Sequence, residues 1–340
     1  MTVSVAHGTA RLSAVAGATA GDAYVRAREA LTAAGLSEDD IVQVVEYVTD
    51  PAAGCGEARP AGVTVSTVAV EGLPEPGATV AVEVTAYRGG GERIATGSGV
   101  VTVADEIVYV PGILPADLSA GFREQYRSCL EVAGELLKAA GLGLDALVQT
   151  TDYTATATRA EYPHCGRPRR ELLGGTGADG RPVHPGAAGI LVDRPLTEGA
   201  MVSLDAIASR RPLRTVNPGW RRYETLTYKP GIAAGNTLFM SGFGALEPAT
   251  QRAIFDGDLL AQAEYTYAAI AAVLREARLA GNAVVRLVEY VTPAGIADYD
   301  KVAEIRAKYF GGPVALTSVV CSALLRPEFL IEVVPTAVFP

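Results

Sequence analysis

The amino-acid sequence predicts an α+β protein in which one module is used three times along the chain. The clearest observation is the pentapeptide Val-Glu-Tyr-Val-Thr, which occurs at 45–49 and again at 288–292, with a looser copy at 147–154. Each copy follows an amphipathic helical stretch and precedes two β-rich runs. Self-similarity along a chain is the signature of a repeated structural unit. We therefore expect three diverged copies of one unit.

The helices are predicted from apolar residues at helical spacing. The middle copy shows the period best, since one face carries Phe122, Tyr126, Cys129, Leu130, Ala133 and Leu137. The three helical stretches are 23–35, 122–141 and 259–280. A second helix is expected at 299–310 in the third copy and at 167–173 in the second. In the first copy a short loop, 51–60, takes its place.

The strands are predicted from β-rich runs that bracket each helix. A run ending in glycine comes before each helix, at 3–8, 107–112 and 237–242. Two more runs follow each repeated tyrosine motif, at 63–70 and 79–86, at 189–192 and 201–208, and at 315–321 and 329–334. Three domains follow: a truncated module 1 at 1–86, module 2 at 87–208 and module 3 at 220–340, with a linker at 209–219.

Composition narrows the class of protein. The 340 residues are 49% hydrophobic and 20% charged, with a net charge of −9. This balance argues against disorder and against a nucleic-acid partner. Two arginine clusters, 167–170 and 210–214, are interpreted as solvated loops. No apolar run of about 18 residues predicts a membrane span, and no secretory signal is recognised, so we expect a cytoplasmic protein.

Cysteine and histidine are too sparse to suggest a metal site. The four cysteines form no Cys-x-x-Cys pair, and the three histidines share no motif. No glycine-rich phosphate loop is present either. We expect no metal and no cofactor, and a small molecule as the partner.

The third copy carries a series of short motifs whose order and spacing resemble those of the RidA/YjgF family of enamine and imine deaminases. The motifs are Tyr228-Lys229-Pro230, the run 235–242, Gly257-Asp258, the repeated pentapeptide, Tyr309-Phe310-Gly311 and the run 326–333. The second copy resembles the family less closely and the first only in part. The resemblance implies a chorismate-mutase-like module, three of which surround a central β-barrel. On one chain they would form an intramolecular pseudotrimer and hence a monomer, with small-molecule sites in the clefts between modules.

Several site residues are implied by this resemblance. Tyr228 matches a tyrosine that lines the family cleft, and Ser241 with Gly242 matches the serine and glycine at its rim. His7 is placed at the serine position of the first copy. Glu332, and Glu83 in the first copy, match a strand glutamate that shuttles a proton. The expected catalytic residues are therefore Glu332, Glu83 and Tyr228.

The arginine with which the family grips a substrate carboxylate is missing. Its position falls at Leu316 or Thr317 in the third copy, at 187–188 in the second and near Val65 in the first. Lysine would be a poor substitute for such a bidentate clamp. Ser318 lies on the same strand, and we expect it to face the cleft. Ser241, Gly242, Ser318, Leu316, Thr317 and His7 are the expected substrate-binding residues.

Three functions remain open from the sequence. The first is a diverged enzyme that hydrolyses, tautomerises or cyclises a small imine, enamine or enol, in a specialised biosynthetic role. The second is a chorismatase-like enzyme, since chorismatases also resemble fused RidA-like modules; its basic residues would come from Arg194, Arg210, Arg211 or Arg326. The third is a non-catalytic ligand-binding or protein-stabilising partner.

Overall fold

The computed structural model describes residues 2–51, 55–194 and 196–340, which form three successive α+β units. Residues 52–54 of the predicted loop 51–60 lie outside this description. The first unit has a five-stranded sheet in the order β1-β2-β5-β3-β4. Its elements are β1 (Val3–Ala6), β2 (Thr9–Gly17), α1 (Ala20–Ala33), β3 (Ile41–Val48), β4 (Thr64–Ala69) and β5 (Val80–Tyr87).

The second unit has a sheet ordered β19-β12-β9-β13-β8-β7-β6, in which the short β19 (Ala323–Leu324) comes from later in the chain. A separate two-stranded ribbon pairs β10 with β11. The elements are β6 (Glu92–Thr96), β7 (Gly99–Ala104), β8 (Ile107–Tyr109), α2 (Phe122–Ala139), β9 (Leu147–Ala155), α3 (Gly166–Leu172), β10 (Gly175–Thr176), β11 (Pro182–Val183), β12 (Gly186–Val192) and β13 (Val202–Ser209).

The third unit has a six-stranded sheet in the order β14-β15-β16-β20-β17-β18. Its last strand therefore lies in the middle, hydrogen-bonded to β16 and β17. The elements are β14 (Leu213–Val216), β15 (Gly231–Ala234), β16 (Thr237–Met240), α4 (Leu259–Glu276), β17 (Val284–Val291), α5 (Tyr299–Tyr309), β18 (Ala315–Val320), β19 (Ala323–Leu324) and β20 (Ile331–Val338).

Local sequence explains where two of the helices begin. Thr19 caps α1, since its Oγ1 accepts from the N–H of Asp22 while the Asp22 carboxylate accepts from the N–H of Thr19. Asp258 caps α4 by accepting from the N–H of Ala261 at 2.9 Å. Such caps satisfy N–H groups that have no partner within the helix.

Each sheet buries one face against its long helix and turns the other towards the remaining sheets. In the first unit, Val44 and Val48 pack in the cluster with α1. Val45 and Tyr47, which alternate with them, belong to a central cluster shared by all three sheets. This is the two-residue period of a strand buried on both faces. The central cluster, defined by Tyr47, Tyr153 and Tyr290 with their apolar neighbours, holds the units together, and the Tyr153 and Tyr290 hydroxyls lie 2.9 Å apart.

Two expectations about the chain path are corrected by the strands. Residues 3–8 do not run directly into the first helix, because β1 turns back on β2 and it is β2 that precedes α1. The predicted linker 209–219 is not a free connection, since Leu213–Val216 forms β14 at the edge of the third sheet. The fold is a mixed α+β arrangement of separate sheets, and no closed barrel is formed among the described strands.

None of the helices within the described residues combines the length and hydropathy needed to cross a bilayer.

Candidate active site

A cavity of about 580 Å³ lies between the second and third units. The second unit contributes the segment that leads into α3, the first turn of that helix, and Ala187, Ala188 and Gly189 on β12. The third unit contributes the segment before β15, the loop after β16, and Glu332 on β20. Its volume falls within the range of small-molecule sites.

Glu332 is the carboxyl group of the cavity wall. It is 6% exposed and lies opposite Tyr290 in the pairing of β20 with β17. Burial raises the pKa of Glu332 to about 8, and the nearby charge of Asp152 raises it further, against a hydrogen bond from the backbone of Gly189. The side chain is therefore largely protonated at neutral pH. A buried, protonated carboxyl group is suited to donate a proton.

Ser241 and Gly242 join the third unit to the second at the edge of the cavity. The Ser241 hydroxyl donates to the carbonyl oxygen of Lys229 at 2.7 Å and accepts from the N–H of Ala187 at 2.9 Å. The N–H of Gly242 donates to the carbonyl oxygen of Ala187 at 3.0 Å. Ser241 is thus a buried connector between the two units, whereas Gly242 lies on the cavity surface.

Tyr228 belongs to an aromatic wall of the cavity. Its ring packs edge-to-face on Tyr223, with centroids 5.5 Å apart, and Trp220 packs in turn on Tyr223 and on Phe243. Burial raises the pKa of Tyr228, so its hydroxyl stays protonated and can donate a hydrogen bond. This wall would favour an unsaturated or ring-shaped ligand.

Five arginines of the described residues line the cavity, and they differ sharply in exposure. Arg159 is half-buried, while three others are exposed at the rim. Arg169 is 3% exposed, which overturns the interpretation of the 167–170 cluster as a solvated loop. Its guanidinium carries a pKa raised above the usual arginine value by Tyr126 and Asp152, against the effect of burial. The full set is Arg159, Arg169, Arg170, Arg222 and Arg326.

Asp152, on β9, is a second buried carboxyl group close to Glu332. Its Oδ1 accepts from the Tyr126 hydroxyl at 3.1 Å. Burial raises the pKa of Asp152 to about 6, and the charge of Arg169 opposes that rise. At neutral pH the two carboxyl groups differ, with Asp152 largely ionised and Glu332 largely protonated. Paired groups with separated pKa values are typical of acid–base sites.

Glu83 does not occupy the position of Glu332, contrary to the expected equivalence. Strand register pairs Glu332 with Tyr290, but it pairs Glu83 with Val45, and Ala81 lies opposite Tyr47. The counterpart of Glu332 in the first unit is therefore Ala81, and Glu83 lies two residues further along β5. It accepts a salt bridge from Arg286 at 2.5 Å and a hydrogen bond from the Thr317 hydroxyl at 2.6 Å, at the junction of the first and third units.

The family arginine position lies on β18, and the side chains of this strand point in other directions than we expected. Thr317 faces the first unit and bonds Glu83. Leu316 packs against the core of the third unit, and the Ser318 hydroxyl lies 2.5 Å from that of Tyr299 on α5. Ser318 and Leu316 are thus on the helix side of the sheet, not in the cavity. By register Ala188, on the cavity wall, is the counterpart of Thr317.

His7 lies apart from the cavity and from the position of Ser241. It occupies the turn between β1 and β2, with a φ of 48°, whereas Ser241 follows β16. Its Nε2 lies 2.7 Å from the carbonyl oxygen of Phe339. The first copy begins with a hairpin, so the run that ends at Gly8 is not the counterpart of the run that ends at Gly242, and the alignment of His7 with Ser241 was wrong.

The structure brings together Tyr228, Gly242 and Glu332 of the expected site residues and adds Arg169 and Asp152. Arg169 was recognised only as part of an arginine cluster. Asp152 lay within the looser copy of the repeated motif, and a charged residue between buried strand positions was the available signal. Among the described residues, no group of three or more His, Cys, Asp or Glu side chains is arranged to hold a metal ion.

Comparison with known proteins identifies the family. The family model described as Endoribonuclease L-PSP matches residues 222–339. Protein DfrA of Myxococcus xanthus is 38% identical over 96 residues, which cover 28% of this chain and 71% of DfrA. The chain belongs to the RidA/YjgF family. The resemblance predicted from the motifs of the third copy is therefore confirmed.

Solved structures extend the comparison of this RidA/YjgF protein beyond its third unit. A chorismatase crystal structure matches 88% of this chain and 93% of its own, with a TM-score of 0.61 at 14% identity, a likeness of fold. A RidA from an Antarctic Psychrobacter covers 34% of this chain and 90% of its own, at 24% identity and a TM-score of 0.31. A YjgF-family protein from Mycobacterium tuberculosis covers 37% and 99%, at 25% identity and a TM-score of 0.31.

Proposed function

We propose that this protein is an enzyme that acts on a small imine, enamine or enol-type metabolite in the cavity between its second and third units. The observation that carries the proposal is Glu332, a buried and largely protonated carboxyl group on the wall of a cavity lined by arginines. A carboxyl group held neutral in this way can protonate the carbon–carbon double bond of an enamine or enol. Its conjugate base can then take a proton from the attacking water.

The surroundings of Glu332 supply the other requirements of such a reaction. Protonation of an enamine or enol ether creates a cationic carbon, and the ionised Asp152 near Glu332 stabilises positive charge there. Tyr228 can donate a hydrogen bond to a heteroatom of the substrate. Hydrolysis of an enamine would consume one water and release ammonia and a ketone. Tautomerisation would need the same proton donor without water.

We also propose that the three units form an intramolecular pseudotrimer and that the protein is a monomer. The support is the central cluster, in which tyrosines from equivalent strand positions of all three units meet. Two of the three junctions differ clearly from each other. Glu83, Arg286 and Thr317 fill the junction of the first and third units with mutual hydrogen bonds, while the junction of the second and third units holds the large cavity.

The parental activity can be tested directly. The protein is incubated with 2-iminopropionate generated in situ, and ammonia release is compared with that of buffer and of the Glu332→Gln variant. Because the family arginine is missing, we expect little acceleration above buffer. A robust rate that Glu332→Gln abolishes would show that the family reaction persists without that arginine.

Chorismate is a second candidate substrate, favoured by the arginines of the cavity and by the fold likeness to chorismatase over most of the chain. Of the arginines expected for this role, Arg326 lies at the cavity, whereas Arg194 lines a separate small depression and Arg210 pairs with Glu92. Loss of chorismate absorbance in the presence of the wild-type protein, and not of Glu332→Gln, would support it. Failure with chorismate and with a panel of enamines and enols would favour a non-catalytic binding protein.

A further inference from the structure

Each unit carries a buried carboxylate at the same position of its repeated motif, immediately before the central tyrosine. In each unit a tyrosine from the long helix donates its hydroxyl to that carboxylate. The donor–acceptor distances are 2.6 Å for Tyr24 and Glu46, 3.1 Å for Tyr126 and Asp152, and 2.7 Å for Tyr267 and Glu289. The three copies of this pair provide an internal comparison within one chain.

In the first and third units an arginine holds the carboxylate with two parallel hydrogen bonds. Arg59 donates from Nε at 2.8 Å and from Nη2 at 2.5 Å to the two oxygens of Glu46. Arg306 donates from Nε at 2.7 Å and from Nη2 at 2.6 Å to those of Glu289. The Nε–Nη2 edge of the guanidinium is the side that grips the carboxylate, in the bidentate geometry that arginine favours.

The second unit breaks this pattern. Arg169 donates from Nη1 to the Tyr126 hydroxyl at 2.9 Å and to Thr150 Oγ1 at 3.3 Å, and from Nη2 to the carbonyl oxygen of Thr227 at 3.1 Å. Within the described chain, none of the hydrogen bonds of Arg169 goes to a carboxylate. The carboxylate of this unit is an aspartate, one methylene shorter than the glutamates of the other two. Its Oδ2 is buried and makes no hydrogen bond of ordinary length among the described residues, although the nearby Tyr162 hydroxyl helps to lower the pKa of Asp152.

Among the described residues, Nε of Arg169 makes no hydrogen bond, and Nη2 uses one of its two hydrogens on the carbonyl oxygen of Thr227. Arg169 is thus a buried cation that holds no carboxylate, and it lines the cavity. We propose that the Nε–Nη2 edge of Arg169 binds a carboxylate group of the cavity's ligand. In the second unit, the ligand carboxylate would take the place beside the arginine that Glu46 and Glu289 take in the first and third units. The inference rests on the proposed function only for the location of the site, because it concerns binding and not turnover.

This assignment replaces the missing family arginine with one from a different element. The family position falls at Ala187 or Ala188 on β12 in this cleft, where no charge is available, whereas Arg169 comes from α3. Because Arg169 comes from α3 and not from the family strand, the substrate class becomes a carboxylate-bearing imine, enamine or enol whose carboxylate is spaced differently from the reacting carbon than in 2-iminopropionate, for which we expect little acceleration.

The test compares benzoate with its uncharged isostere benzamide, both titrated into the protein by calorimetry. We expect the aromatic wall to accept either ring, so the difference between the two affinities reports the carboxylate contact. We expect benzoate to bind about tenfold more tightly than benzamide to the wild type. In Arg169→Gln the two ligands should bind equally. Arg167→Gln is the matched control, since Arg167 lies on the same helix, is exposed and pairs with Glu171; it should keep the tenfold preference.

Asp152→Glu is the decisive variant because it needs no loss of the buried arginine. The longer carboxylate should reach the Nε–Nη2 edge as Glu46 and Glu289 do, and should abolish the preference for benzoate with the folded structure retained by circular dichroism. A preference that survives in both Arg169→Gln and Asp152→Glu, or a wild type that does not distinguish the two ligands, would overturn the proposal. If the wild type prefers benzoate but turns over none of the tested substrates, the proposed enzyme function is contradicted and the binding role of Arg169 is retained.

Discussion

The carboxyl group of Glu332 lies directly against the backbone of Gly242. A β-carbon added at Gly242 would stand 2.1 Å from Oε1 of Glu332 and 2.9 Å from the β-carbon of Ala188. Neither distance is compatible with an ordinary contact, and the β-carbon of Ala188 cannot turn away. Glycine at 242 is therefore what allows the carboxyl group to sit at the junction of the two units.

We expect Gly242→Ala to displace the Glu332 side chain and to remove the activity or ligand binding of the cavity. A cost of about 1–3 kcal/mol in the free energy of unfolding should accompany it, as for other overpacked sites. Activity and denaturant unfolding are measured together. The matched control is Gly311→Ala, because a β-carbon there meets no atom within 4 Å. Equal effects of the two substitutions would contradict the assigned role of Gly242.

Replacement of Glu332 by glutamine keeps the shape of the side chain but removes its transferable proton. For whichever substrate is turned over, we expect kcat/KM to fall about 10²- to 10⁴-fold, the usual contribution of general acid–base catalysis. In the wild type, kcat/KM should decline above pH 8 as Glu332 ionises, given its pKa of about 8. A rate that is independent of pH between 7 and 9, or an active Glu332→Gln variant, would exclude Glu332 as the proton donor.

The raised pKa of Glu332 also predicts how stability depends on pH. An unfolded glutamate titrates near pH 4.3, whereas Glu332 in the folded protein titrates near 8, so between these values the folded state binds the additional proton. Stability must then fall as pH rises from about 5 to 8, by at most about 1.4 kcal/mol per pH unit from this group. Asp152, with a pKa near 6, acts in the same direction over a narrower interval.

Denaturant unfolding at pH 5.5, 6.5 and 7.5 checks this slope. Glutamine at position 332 does not titrate, so the stability of the Glu332→Gln variant should decline less steeply with pH than that of the wild type. Parallel pH dependences of the two proteins would mean that Glu332 is ionised in the folded state throughout this range.

Glu83 should matter for stability and not for chemistry in the cavity. Glu83→Gln leaves the largely buried Arg286 without its ion pair, and we expect a loss of about 3 kcal/mol in the free energy of unfolding. The exposed pair of Glu135 and Lys138 gives the control, since Glu135→Gln should cost no more than about 1 kcal/mol. Ligand binding measured well below the unfolding transition should be unchanged in both variants. Loss of binding in Glu83→Gln would instead return Glu83 to the list of site residues.

Local patterns in the sequence were enough to predict the long helices and most central strands, but not β2, β6, β7, β14 and β15, nor the correspondence between copies. The middle helix was expected at 122–141 and spans Phe122–Ala139, because an apolar face at helical spacing is visible within one stretch of chain. The pairing of Glu83 with Val45, by contrast, follows from strand register, which counting along a chain with loops of unequal length does not fix. His7 was misplaced for the same reason.

The cavity itself was predicted in part. Tyr228, Gly242 and Glu332 came from motifs within one unit, and they lie on one cavity. Arg169 could not be recognised as a buried residue, because its hydrogen-bond partners are Tyr126 and Thr227, which lie 43 and 58 residues away along the chain. An arginine that is buried by distant partners leaves no periodic signal in its own segment.

The central place of β20 in the third sheet has a consequence for biosynthesis. Because β20 (Ile331–Val338) inserts between β16 and β17, a nascent chain that ends before it has two half-sheets whose inner edges are unpaired. Glu332 lies on the same strand, so the sheet is completed and the cavity gains its carboxyl group in the same step of folding. A frameshift or early stop codon that spares residues 1–325 would leave most of the polypeptide intact. The product would lack the proton donor and would expose strand edges that invite aggregation.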